Sequence, residues 1–179
     1  MSYIDTYLPI CEGFEGRIPW MYLDSLGNVT VGIGHLVCDS TAAIALPFEV
    51  EGVRASSGEV GSEFIRVRSL IKNCGPLVYK SDIVLPGAAI DGLVRTVVDS
   101  CDNELRSRLK GYDGLPDSWR MGLLDMAYNL GVAGLFSKFP HFILAVLAKN
   151  GEGAAAECNR PQLNGNRNTW TAKCFTEEV

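Results

Sequence analysis

Residues 15–35 read EGRIPWMYLDSLGNVTVGIGH, and the fold reading starts from this stretch. Ile18, Trp20 and Tyr22, then Val29, Val31 and Ile33, alternate on either side of Asp24, Ser25, Leu26, Gly27 and Asn28. Apolar residues at period two around a turn-forming cluster specify a β-hairpin. Gly32 and Gly34 fall in the returning strand. A glycine there weakens pairing and marks either a plain bend or the close approach of a ligand or another backbone.

Upstream, Thr6 is placed to cap a helix with Pro9 in its first turn, and Leu8, Cys11 and Phe14 recur at helical spacing. This predicts a short helix ending near Glu15, with Gly16 as its stop. Downstream, residues 36–86 carry a weak pattern. Ser56, Ser57, Gly58 and Gly61 read as a flexible stretch, and FIRVRSLI (64–71) and PLVYKSDIVLP (76–86) as short apolar segments. The region reads as an elaboration on a smaller core, with room for another hairpin. Beyond Pro86, Ile90, Leu93, Val94, Val97, Val98, Cys101, Leu105 and Leu109 follow a three-four repeat up to Gly111, the clearest helix in the chain. A second helix opens at Leu115 to Ser118 and closes at Gly131. Others span Phe139 to Asn150, Gly151 to Cys158, and about Asn168 to Glu178. The class is therefore α+β: one domain over residues 1–179, with a helix and hairpin (7–36), an insertion (37–84) and a helical lobe (85–179).

Composition narrows the function classes. The chain has 179 residues, 16 Lys plus Arg and 21 Asp plus Glu, with a net charge of -5. Apolar residues make up 47% and charged residues 21%, which suits a globular fold rather than a disordered chain. Its scattered basic residues do not form the cationic footprint that nucleic acid requires. The longest apolar runs, Ala42 to Phe48 and Phe142 to Ala148, are far short of the roughly 20 residues of a membrane span. MSYIDTYLPICEG has none of the organisation of a secretory signal, so synthesis in the cytoplasm without a classical signal peptide is expected. Six cysteines at 11, 38, 74, 101, 158 and 174 are irregularly spaced, with only His35 and His141 beside them. Small buried apolar residues are the ordinary reading of such cysteines. No metal site and no cofactor is expected.

Two carboxylates could share a site around the hairpin. Glu15 ends the first helix and Asp24 enters the turn, and glycosidic hydrolysis needs one carboxylic acid to protonate the leaving oxygen and one carboxylate to activate water or attack carbon. The negative end of the helix dipole and the neighbouring Phe14 and Trp20 favour a protonated Glu15, whereas the polar turn keeps Asp24 ionised. Thr30, six residues beyond Asp24, is placed to set a hydroxyl beside it and hold a water. The plain alternatives are a solvated Glu at a helix end and an Asp that merely forms a turn. Glu12-Gly13 repeats the Glu15-Gly16 dipeptide, so pattern alone leaves the acid open between Glu12 and Glu15.

The stretch Glu15 to His35 resembles the phage-type lysozymes of glycoside hydrolase family 24, whose signature runs E-G, a short spacer, Y-x-D, then G-x-x-T-x-G-x-G-H. Every signature position matches, and the family spacing to Tyr22 and Asp24 fits Glu15 and not Glu12. MGLLDMAYNLG (121–131) resembles the family's helix ending in an aromatic, Asn or Gln, a hydrophobic residue and Gly, and GNRNTW (165–170) its terminal Arg motif. The resemblance is firm over residues 7–35, loose over 85–175, and absent from 37–84.

The resemblance implies a lysozyme-like fold with the active-site cleft between a β-hairpin lobe and a helical lobe. It implies a muramidase cleaving the β-1,4 bond between N-acetylmuramic acid and N-acetylglucosamine, usually with inversion. Glu15 would be the acid, Asp24 the base and Thr30 the water-holding hydroxyl. Asn129, Tyr128 and Gly34 would contact substrate. Tyr22 and His35 would support the site, His35 tied to an acidic partner, and Arg167 would approach Glu15. Helix core and cap are the plain reading of Tyr128 and Asn129, and a surface arginine that of Arg167.

The expected partner is peptidoglycan, which is anionic, whereas this chain is acidic. Delivery by a carrier or fused domain, as in an antibacterial effector or phage tail component, resolves the mismatch. An effector would also call for an immunity protein in its producer. The expected place of action is the bacterial cell wall. The alternative readings are an inactive wall-binding module, a lytic transglycosylase and a chitinase.

Overall fold

The computed structural model of the chain describes residues 2–70, 76–163 and 165–177. It is mixed α+β and mostly helical, with a small antiparallel sheet early in the chain, in keeping with the class read from the sequence. Ile71, Cys74 and Glu178, on which sequence expectations fall, lie outside the described residues. The chain divides into two compact units, Glu15–Arg95, and Met1–Phe14 with Thr96–Val179.

The unit with both ends of the chain begins with helix α1 (Tyr3–Glu15). It starts one turn earlier than expected, because Ser2 rather than Thr6 caps it. The Ser2 hydroxyl accepts from the Asp5 amide (3.2 Å), and the Asp5 carboxylate accepts from the Ser2 amide (3.2 Å). Two amide groups that would otherwise lack helical partners are thereby satisfied. Thr6 instead turns its hydroxyl back to the Ser2 carbonyl. Pro9 consequently stands inside the helix and costs it one backbone hydrogen bond.

In the other unit, β1 (Ile18–Leu23), β2 (Val29–Gly32) and β3 (His35–Leu36) pair antiparallel in chain order. The hairpin lies where alternation and turn chemistry put it, with Tyr22 opposite Thr30 and Leu23 opposite Val29. The pairing slips between Ile18 and Tyr22. Met21 and Leu23 are the deeply buried residues of β1, while Ile18, Trp20 and Tyr22 are half-buried. The irregularity sets four steps on β1 against two on β2, which leaves the alternation intact, so the deeply buried face is the one opposite Ile18, Trp20 and Tyr22.

The described residues of the region 37–84 are more regular than expected. Helix α2 (Ser40–Ala45) precedes a small hairpin of β4 (Glu49–Val50) and β5 (Val53–Arg54), followed by α3 (Ser57–Arg68). The reading of Ser56 to Gly61 as a flexible stretch is overturned. The Ser56 hydroxyl accepts from the Glu59 amide and the Glu59 carboxylate from the Ser56 amide, a reciprocal cap that nucleates α3. Val60, Phe64 and Val67 then bury one face of it. Val84 exchanges two backbone hydrogen bonds with Glu49, which ties the end of this region to β4.

Helix α4 (Gly87–Arg108) follows the predicted repeat, and α5 (Asp117–Leu130) ends at Gly131 as expected. Then come α6 (Val132–Lys138), which the sequence reading lacked, α7 (Pro140–Leu147), α8 (Gly151–Glu157) and α9 (Gly165–Thr176), which starts before the expected Asn168. A Cβ on Gly122 of α5 would stand 2.6 Å from Cζ of Phe175 on α9, so only a glycine admits this close helix approach. Phe175 is edge-on to Phe142 at 5.3 Å and to Trp119 at 5.5 Å, which closes the core around that contact.

Cys11, Cys158 and Cys174 are buried, as the plain reading of the cysteines has it, and Cys101 is half-buried. Cys38 departs from that reading and is exposed, because it follows the short edge strand β3. All five are free thiols. No helix among the described residues is long and apolar enough to cross a membrane.

Candidate active site

Glu15 is the last residue of α1, and Gly34 lies in the tight link between β2 and β3. A Cβ on Gly34 would stand 3.2 Å from Oε2 and 3.6 Å from Cδ of Glu15. Gly34 has φ +67, the left-handed region that a side chain disfavours. A strand link without a side chain thus backs directly onto the carboxylate. Glycine is required there for two reasons at once.

Tyr22 ties this carboxylate to Asp24. It stands opposite Thr30 and is half-buried. Burial raises its phenol pKa most, the Glu15 carboxylate adds to the rise, and the Asp24 carboxylate adds again. Negative charge beside a phenol disfavours the phenolate, so both carboxylates act on one hydroxyl. Both carboxylates therefore lie near enough to Tyr22 for their charge to reach its phenol.

Asp24 also builds the hairpin turn. Its Oδ1 accepts from the amides of Leu26 (2.9 Å) and Asn28 (2.8 Å), and its Oδ2 from Nδ2 of Asn28 (3.1 Å). A carboxylate offers about four acceptor positions, so one remains, on Oδ2. Thr30 is buried and its hydroxyl donates to the Asn28 carbonyl at 3.4 Å. Asn28 thereby joins Thr30 to Asp24, and the Thr30 oxygen keeps its lone pairs for a further donor.

His35, on β3 opposite Val31, is half-buried, and burial lowers its pKa. The acidic partner implied for it is missing: among the described residues no carboxylate opposes that shift. Its short edge strand holds it on the sheet instead.

Tyr128, Asn129 and Arg167 belong to the other unit. Tyr128 and Asn129 end α5, and both are half-buried. The Oδ1 of Asn129 is buried and has no hydrogen-bond partner among the described residues. The surface reading of Arg167 is overturned, since it is buried against Asp125. Its Nε donates to Asp125 Oδ1 at 3.0 Å, and its guanidinium lies 5.3 Å from the Phe14 ring centroid.

Asp125 anchors a buried network that the sequence reading missed. Arg160 donates to its Oδ2 (2.5 Å) and to its carbonyl (3.0 Å), the Thr171 hydroxyl lies 2.7 Å from the same Oδ2, and Tyr7 donates to Oδ1 at 3.3 Å. Asp125 and Arg160 are wholly inaccessible to solvent. Burial, then the charge of Asp125, pushes the Tyr7 phenol well up. A lone Asp within the apolar run MGLLDMAY was the signal available in the sequence.

No group of three or more His, Cys, Asp or Glu side chains suited to a metal ion occurs among the described residues. No protein-family model matches this chain, and no curated protein matches it either.

Proposed function

We propose that this chain is a peptidoglycan muramidase that hydrolyses the β-1,4 bond between N-acetylmuramic acid and N-acetylglucosamine. The observation that carries the reading is the backbone of Gly34 set against the Glu15 carboxylate, with the charges of Glu15 and Asp24 both reaching the Tyr22 phenol. Glu15 gives its proton to the glycosidic oxygen as that bond breaks. Asp24, through the open position on Oδ2, takes a proton from the water that attacks the anomeric carbon, with inversion. Thr30 accepts from the same water. Asn129, in the other unit, enters this scheme only as what the resemblance implies. Tyr22 and His35 are supporting residues in this scheme.

Digestion of purified peptidoglycan by the wild type and by Glu15→Gln tests it. Hydrated disaccharide-peptides with muramic reducing ends from the wild type, and a loss of about 100-fold in the variant, support acid catalysis. An intact wall that still retains the chain would leave a wall-binding module.

One observation favours a second reading, a lytic transglycosylase. Three hydrogen bonds commit Asp24 to its turn, and a transglycosylase needs no carboxylate to activate water. Anhydro products, with activity surviving Asp24→Asn, would identify that chemistry. Under either reading the chain acts at the bacterial cell wall, brought there by a carrier or fused domain, and a producer that delivers it needs an immunity protein.

A further inference from the structure

A recess lies beside the Asp24 turn, in the unit Glu15–Arg95. It is a cavity of about 200 Å³ with Gly27 and Asn28 on one wall, Leu36 and Cys38 on another, and Phe64 and Arg68 of α3 on the third. Asn28 is the residue that bonds Asp24 through both its amide and its side chain, so this cavity and the candidate site share one turn. The cavity continues into an open groove over Phe64, Ile65 and Arg68, with Asp39 and Ser40 at its edge. Ile65 and Leu36 are exposed beside it, at 66% and 54%.

Arg68 gives this recess its chemistry. The exposed faces of α3 carry Arg66 as well, but Arg66 is bound to Glu63 by two hydrogen bonds of 2.7 Å. Arg68 has no carboxylate partner among the described residues, and its guanidinium carbon lies 6.0 Å from the Phe64 ring centroid. Stacking over an aromatic face leaves the in-plane N–H groups of a guanidinium for a planar anion, and a carboxylate fits that fork. Asp39, the other charge at the rim, already accepts from the Ala42 amide at the start of α2. An unpaired cation in an apolar recess next to the catalytic turn suits a short peptide that carries carboxylates.

We infer that the recess lined by Asn28, Leu36, Cys38, Phe64 and Arg68 binds the carboxylate-bearing stem peptide of peptidoglycan, with Arg68 as its anion-binding residue. The inference rests on the muramidase reading, which places the peptide-bearing muramic acid at the neighbouring turn. It gives the region 37–84 a task, since α3 supplies the cationic wall. It also answers the charge mismatch, because a local cation can recruit an anionic wall to a chain of net negative charge.

The test uses the free stem tripeptide of alanine, γ-linked glutamate and diaminopimelate, which has no glycosidic bond. Its binding is therefore read independently of turnover, and failure of hydrolysis leaves this measurement unaffected. Cys38 supplies the readout, as an exposed thiol on the cavity wall. Saturating peptide is expected to slow modification of Cys38 by a maleimide at least fivefold, read by peptide mapping. Calorimetry is expected to show about a tenfold loss of affinity in Arg68→Glu and most of the affinity retained in Arg68→Lys. Arg54→Glu, at a residue that lines neither the cavity nor the groove, is expected to bind as the wild type does. A peptide with its carboxylates amidated is expected to lose binding as Arg68→Glu does. Equal affinity in the wild type and Arg68→Glu, equal affinity for the amidated peptide, or no binding by the wild type would each overturn the inference. If the wild type still hydrolysed peptidoglycan in any of those cases, the muramidase reading would stand without this recess.

Discussion

The carboxylate of Glu15 rests against the backbone of Gly34, where a methyl group would come within 3.2 Å of Oε2. The contact backs the acid candidate with main chain and leaves no room for a side chain at position 34. Gly34→Ala is expected to cost roughly 1–2 kcal/mol from its left-handed backbone alone, before the contact with Glu15 is added. Thermal unfolding measures the first effect. A further drop in the rate of peptidoglycan hydrolysis by the remaining folded protein measures the second.

Asp24 carries a structural and a proposed chemical task, and Asp24→Asn separates them. An asparagine oxygen can still accept from the amides of Leu26 and Asn28. Its NH₂ would then face Nδ2 of Asn28, so the Asn28 amide must turn over. Stability is expected to fall by about 1 kcal/mol, the scale of one hydrogen bond. Hydrolysis is expected to fall by about 100-fold or more, because an amide takes no proton from water. Denaturant unfolding and a reducing-end assay check the two parts.

Asp125 is one anion between two buried cations, Arg160 and Arg167. Removal of the anion strands both guanidinium groups away from water. Asp125→Ala is expected to destabilise the protein by about 3–5 kcal/mol, enough to unfold a marginal domain. Urea unfolding measures this. A loss under 1 kcal/mol would show that the network contributes little.

His35 sets an acid limit on stability. Burial lowers its pKa in the folded chain below the ordinary value of 6.5. The unfolded chain therefore takes up the proton first as pH falls. The stability held by the neutral imidazole is complete above about pH 6.5 and is lost as pH falls through the folded pKa. In His35→Gln the fall in stability as pH drops below about 6.5 is expected to flatten. Unfolding midpoints across that range are the measurement, and an unchanged slope would contradict it.

What the sequence determined by itself was local. The hairpin, its Asp24 turn and α4 follow from periods of two and three to four and from turn chemistry, all of which act within a few residues. The cap of α3 was equally local, in Ser56 and Glu59, but the serines and glycines around it resembled a loop. The tertiary structure alone decided which face of β1 is deeply buried, that of Met21 and Leu23, because the alternation marks two faces and only packing selects between them. It alone set Gly34 against Glu15, which are 19 positions apart by number and joined through two strand turns. It alone brought Arg160 and Arg167 to Asp125, since ion pairs across 35 and 42 residues depend on how helices pack and leave no periodic trace. Local order is encoded by neighbours along the chain, whereas a charge buried at a distance is encoded only by the core that encloses it.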